Sequence, residues 1–131
     1  MKAITQEWLD FAKADLMSCE NNLSNEFLTN IVAFHCQQTV EKCFKAIIEE
    51  NSLGLKRIHG LYQLFTIISS NITFDIAIES VELLDEVYTT SRYPGEIGLM
   101  QHGKPTESEV QEMYEFAKYI FNSTTEMLEN K

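Results

Sequence analysis

The stretch Phe34-His35-Cys36-Gln37-Gln38-Thr39-Val40-Glu41-Lys42-Cys43-Phe44-Lys45 decides how this chain is read. It has helical periodicity, yet that periodicity puts Gln37 and Glu41 on the same side as Phe44 and Ile48. A buried carboxylate is costly unless it is paired or hydrogen-bonded, so another part of the chain is expected to meet Glu41. Outward from this stretch the helix extends from about Glu26 to Glu50, with Ile31, Val32, Phe34, Val40, Phe44, Ile47 and Ile48 as its apolar residues. Asn51-Ser52-Leu53-Gly54 closes it, Gly54 being suited to a left-handed cap.

Upstream, Trp8, Phe11, Ala12, Leu16, Cys19 and Leu23 recur at the spacing of an amphipathic first helix. Downstream, a loop with Lys56, Arg57 and His59 leads into a short helix carrying Leu61, Leu64, Phe65 and Ile68, with His59 placed to cap it. A fourth helix is expected near Thr73 to Tyr88, burying Ile76, Leu83, Leu84 and Val87 and turning Glu79, Glu82 and Glu86 outward. Ser91 to Pro105 is irregular; it holds both prolines and three of the five glycines. Thr106-Glu107-Ser108-Glu109 is a capping box opening the last helix, whose stripe is Val110, Met113, Tyr114, Ala117, Phe121 and Leu128. The fold expected is all-α, an antiparallel up-and-down bundle of four main helices plus one short helix, in a single domain over residues 1–131.

Bulk properties narrow the function. The chain has 131 residues, 44% hydrophobic content and few prolines or glycines, which suits one hydrophobic core without metal or staples. A net charge of -10 disfavours extended contacts with nucleic-acid backbone or anionic membrane. Cys19, Cys36 and Cys43 are odd in number and lack CxxC spacing. Cys36 and Cys43 lie roughly 10 Å apart along one helix, too far to bridge. All three read as buried hydrophobes of a reducing cytoplasm. Met1 to Glu7 lacks the apolar run of a signal peptide, and no stretch approaches a membrane span.

The polar residues that break the bundle pattern are the candidates for function. Asp15 falls between Phe11, Ala12 and Cys19, and Gln37 and Glu41 sit at the edge of the second helix's apolar arc. The partner expected for these acids is Arg92, in Tyr88-Thr89-Thr90-Ser91-Arg92-Tyr93-Pro94, because a guanidinium matches carboxylates with a planar fork of donors. In one reading Arg92 clamps the loop to Asp15 or Glu41; in the other, part of it stays open to a phosphate. His35, Gln38, Lys42, Lys45 and Glu49 share a second stripe, either a solvated face or a wet groove shared with a second subunit or ligand. Lys42, Lys45, Lys56 and Arg57 are four of only ten basic residues, a local excess able to attract an anion. His35, His59 and His102 show no zinc-type spacing, and neither a phosphate-binding Gly-rich loop nor a nucleophile elbow is present. No metal or cofactor is expected.

Four ordered pieces resemble the HEPN domain family. They are Trp8-x-x-x-Ala12-x-x-Asp15-Leu16, Phe34-His35-x-Gln37-Gln38-x-x-Glu41-Lys42-x-x-Lys45-Ala46, His59-x-Leu61-x-x-Leu64 and Tyr88-x-x-Ser91-Arg92-Tyr93-Pro94. The resemblance implies a homodimeric bundle, often associated with a minimal nucleotidyltransferase as a two-component, toxin–antitoxin-like pair. It implies either a nucleotide-binding module or a metal-independent ribonuclease built on an Arg followed four to six residues later by His. Here Arg92 has no His in that window, and His102 comes later. The function expected is therefore a non-catalytic module that binds a nucleotide-like anion or a nucleotidyltransferase partner. Arg92, Tyr93, Lys42, Lys45, His35 and Gln38 are its contact residues, and Asp15, Gln37, Glu41 and His59 its structural polar network. The alternative is a ribonuclease using Arg92 with His102 or His35.

Overall fold

Fourteen of the twenty-two residues of the helix Thr29–Glu50 are buried, and the other helices are arranged around it. The structure, a computed structural model, describes residues 1–54, 57–90 (backbone alone at 89 and 90) and 104–130. Among the described residues five α-helices run in order: α1 (Ala3–Asn22), α2 (Thr29–Glu50), α3 (Leu61–Ile68), α4 (Ile78–Thr90) and α5 (Glu107–Glu129). Short 3-10 turns, Glu26–Leu28 and Ser69–Asn71, precede α2 and follow α3. The architecture is an all-α up-and-down bundle of four main helices and one short one, with α2 touching each of the others. No strand occurs among the described residues.

The core takes Leu9, Ala12 and Leu16 from α1, Val40, Phe44 and Ile47 from α2, and Leu61, Leu64 and Ile68 from α3. Val81, Leu84 and Val87 join it from α4, and Val110, Met113, Ala117, Ile120 and Leu128 from α5. Each large side chain buried this way contributes roughly 1.5–3 kcal/mol. Cys19, Cys36 and Cys43 are free and buried, as small hydrophobes would be.

The elements end where local chemistry ends them. Thr106 Oγ1 accepts the Glu109 amide at 3.1 Å and Glu109 Oε1 accepts the Thr106 amide at 2.8 Å, the expected capping box of α5. At the end of α2 the left-handed residue is Ser52 (φ 53°), not Gly54 alone. The Leu53 amide donates to the Ile48 carbonyl and the Ser52 amide to that of Glu49, a Schellman closure centred two residues before Gly54. The N-terminus of α3 is capped from another helix. Asp85 of α4 accepts the Leu61 and Tyr62 amides at 2.5 and 3.0 Å, so His59 does not serve as the cap.

Four apolar expectations shift. The fourth helix begins at Ile78, five residues later than Thr73, because Ile72, Phe74 and Ile76 are half-buried while Thr73, Asp75 and Ala77 are exposed. That alternation is the period of extended chain, and the Tyr119 hydroxyl pins it by donating to the Asp75 carbonyl at 2.7 Å. Within α4, Val81 rather than Leu83 is buried. On α1, Phe11 is 63% exposed although its spacing suggested core. On α5, Ile120 fills the position assigned to Phe121, which is half-buried.

Candidate functional site

Beside the apolar seam between α1 and α2 runs a ladder of polar side chains, anchored on Asp15 of α1 and Glu41 of α2. Asp15, buried on α1, receives two groups from α2: its Oδ1 lies 2.7 Å from His35 Nδ1, and its Oδ2 accepts from Lys42 Nζ at 2.5 Å. His35 and Lys42 are seven residues apart, two helical turns, so one carboxylate reaches both from between them. Glu41 forms the second rung. Its Oε2 accepts from Lys45 Nζ at 2.9 Å and lies 3.2 Å from His59 Nδ1, and its Oε1 accepts from Gln37 Nε2 at 3.2 Å. Gln38 Nε2 donates to Gln37 Oε1 at 2.7 Å, and Gln37 Nε2 also reaches the His59 carbonyl.

Each acid thus holds one lysine and one histidine. A charge-assisted hydrogen bond to each lysine offsets the desolvation of a nearly buried carboxylate. Lys45 itself is 8% exposed, so it belongs to the interior network and not to a solvated face. Its ammonium lies 5.5 Å from the Trp8 ring, while that of Lys42 lies 5.9 Å from Phe11. Tyr88, near the end of α4, stacks with both Phe34 and His59 at centroid distances of 6.4 Å. The Trp8 indole N–H is buried with no hydrogen-bond partner among the described residues.

The structure therefore brings together Asp15, His35, Gln37, Gln38, Glu41, Lys42, Lys45 and His59 from the residues singled out in the sequence. The partners of Asp15 and Glu41 within the described residues come from α2 and from His59. Arg92, Tyr93 and His102 lie outside the described residues, as does Lys56. Arg57 is exposed and makes no bond to the ladder among the described residues. Aromatic cover was the part missed. Trp8, Phe11 and Asp15 form one flank of α1 at i, i+3, i+7, and an acid within an otherwise apolar stripe marks that flank as a boundary and not as core.

Two hollows on the surface, one beside Phe27 and Lys104 and one beside Phe74 and Met127, include no residue of the ladder. Among the described residues no group of three His, Cys, Asp or Glu is placed to hold a metal ion, and no helix is long and apolar enough to cross a membrane.

Comparison with known proteins agrees with the helical fold. The HEPN domain family model matches residues 5–128. The structure superposes on ST0689, described as an archaeal HEPN homologue, with a TM-score of 0.73 and 25% identity, covering 98% of this chain and 99% of that one. It also resembles TT1696 from Thermus thermophilus in fold, with a TM-score of 0.76 and 20% identity over 96% of this chain and 99% of that one. No match is found among curated proteins. With a family model spanning nearly all of its length and its bundle reproduced in a solved homologue, the chain belongs to the HEPN domain family.

Proposed function

We propose that this chain is a non-catalytic binding module that forms a homodimer through its α1–α2 face. Beside that face it receives a nucleotide-like anion, a nucleotidyltransferase, or both. The observation that carries the reading is the closure of the ladder: Asp15 and Glu41 are each matched by a lysine and a histidine. Groups so matched hold helices in register; they do not present an unsatisfied charge poised for turnover. Around them lies a rim suited to a macromolecule. Phe11 is 63% exposed and Ile4 and Ile31 follow on the adjoining stripes, while Trp8 and Phe34 are half-buried. Aromatic centres with a polar surround are what protein interfaces enrich. In this reading Arg92 and Tyr93, which follow α4 in the chain, make the anion contacts together with Lys42, His35 and Gln38, while Lys45 stays with Glu41 in the interior.

Light scattering at micromolar concentration tests the dimer; a particle of 15.1 kDa, the monomer mass, overturns it. Calorimetric titration with nucleoside mono-, di- and triphosphates, on the native chain and on Arg92→Ala, tests the ligand. Heat with one of them that Arg92→Ala removes supports the anion site, and no heat with any leaves a module for protein partners alone. A nucleotidyltransferase reading frame beside the gene supports that partner.

One observation favours a second reading, a metal-independent ribonuclease. With Nδ1 of His35 turned to Asp15, Nε2 is the ring nitrogen left to take or give a proton, the arrangement of an oriented general base. Arg92 holds the scissile phosphate in this reading, and His35 or His102 moves the proton of the ribose 2′-hydroxyl. RNA incubated with the protein in chelator decides it: cleavage lost in His35→Ala or His102→Ala establishes the ribonuclease, and intact RNA rejects it.

A further inference from the structure

Beneath the first rung of the ladder, Cys19 of α1 and Cys36 of α2 face one another with their Sγ atoms 3.5 Å apart. Both side chains are fully buried, and the Cys19 thiol also lies 3.6 Å from the Val32 carbonyl. Cys19 is one turn beyond Asp15 on α1, and Cys36 is the neighbour of His35 on α2, so the sulfur contact and the Asp15–His35 contact join the same two turns. Cys43 stands apart from them and faces Thr124 of α5. Two thiols in contact on facing helices need only shorten their separation to the ~2.05 Å of a disulfide, a change within reach of side-chain rotation and a small helix shift.

We infer that Cys19 and Cys36 are a latent redox pair whose disulfide staples α1 to α2 under the polar ladder. The oxidant is a low-molecular-weight disulfide. One cysteine, as its thiolate, attacks a sulfur of that disulfide; the small S–S bond breaks, and one small thiol leaves carrying the proton the cysteine gave up. The other cysteine then attacks the protein sulfur of the mixed disulfide and expels the second small thiol. Two cysteine thiols are oxidised and one small disulfide is reduced to two thiols, with no further reactant.

Burial sets when this happens. Neither sulfur is open to solvent, and the Cys19 contact together with burial holds the Cys36 thiol in its protonated form. The reagent therefore reacts when the α1–α2 hairpin opens locally, and the resting fold keeps the pair reduced. Once formed, the cross-link holds closed the segment whose opening admitted the oxidant, and it fixes the register that lets Asp15 reach both His35 and Lys42. The device is independent of what binds the face above it.

The test uses the native chain. Reduced protein is incubated with oxidised glutathione, with and without urea below its unfolding midpoint; remaining thiols are alkylated and the product is mapped by peptide mass. The expected product is a monomeric chain lighter by two hydrogens, linked Cys19–Cys36, with Cys43 alkylated and no glutathione retained. It should melt several degrees above the reduced form, and dithiothreitol should erase the difference. Cys19→Ala and Cys36→Ala should each give no internal cross-link. Alkylation of all three cysteines after incubation in urea overturns the inference. So does glutathione that stays on one cysteine of the native chain, a cross-link through Cys43, or an oxidised form that melts below the reduced one.

Discussion

Among the described residues Glu41 gathers three side-chain partners in the buried network, where Asp15 has two. The Glu41 side chain is 6% exposed and its oxygens serve Gln37, Lys45 and His59 together. Removing one member of a buried ion pair leaves its partner charged and unmatched, whereas replacing both by apolar side chains of similar volume is often neutral or better. Glu41→Met alone should therefore cost about 3–5 kcal/mol in urea denaturation, and Glu41→Met with Lys45→Met should recover most of that loss. A double variant no more stable than the single one would show that the pair itself, and not the stranded lysine, carries the energy. Sequence spacing made the inward position of Asp15 and Glu41 legible, because an acid inside an apolar stripe is visible in a string of letters. It did not reveal that Lys42 reaches across to Asp15 of α1, although the i,i+4 spacing of Glu41 and Lys45 already pairs those two on one helix. A long lysine at the edge of a stripe can extend to water or fold inward, and only the position of α1 decides which.

At the scale of elements, α3 is closed by another helix. Asp85 of α4 supplies both acceptors for the first amides of α3, a helix of eight residues that is short to stand alone. Asp85→Ala should lower stability by about 1–2 kcal/mol, the usual loss of an N-terminal cap, with amide exchange rising first at Leu61 and Tyr62. Unchanged protection there would show that α3 is held by its apolar face alone. The ends of α1 and α2 are joined reciprocally. The Glu50 carboxylate accepts from the Lys2 amide and the Thr5 hydroxyl, while Lys2 Nζ donates to the Glu49 carbonyl and Ser52 Oγ. Between α1 and α5, the Tyr114 hydroxyl donates to Glu20 at 2.7 Å. Burial, followed by that bond and the charge of Glu20, pushes the Tyr114 hydroxyl well above its ordinary range. A phenol that keeps its proton in the fold but loses it in the unfolded chain stabilises less as pH rises past the unfolded value of about 10. Melting temperature should accordingly fall above that pH. Tyr114→Phe should melt lower than the native chain at pH 8, by the loss of one hydrogen bond, and should show a shallower fall above pH 10. Parallel curves would exclude Tyr114 as the titrating group.

For the whole molecule the proposed interface is the α1–α2 face, where Phe11 is 63% exposed and the Lys42 ammonium lies 5.9 Å from its ring. A homodimer makes stability depend on concentration, because association draws the folded state forward by mass action. The melting temperature of the native chain should rise over a hundredfold increase in protein concentration, and Phe11→Asp should abolish the rise while leaving the dilute-limit value nearly unchanged. A native chain whose melting temperature ignores concentration would remove the dimer from the proposed function. The bundle, its five helices and the capping box of α5 were determined by sequence alone, since helical periodicity and cap chemistry are local and survive without knowledge of neighbours. The extended run through Ile72, Phe74 and Ile76 was legible in principle, as three apolar residues at period two, but helical spacing to Leu83 and Leu84 competed with it. The rest was decided only when distant segments met. That Lys42 reaches Asp15, why Asp85 and not His59 caps α3, and that Cys19 touches Cys36 all depend on how α1, α2 and α4 lie against one another. A carboxylate's partner is chosen by distance in space, where the energy of an ion pair is set, and that distance is not written in the spacing of residues along a chain.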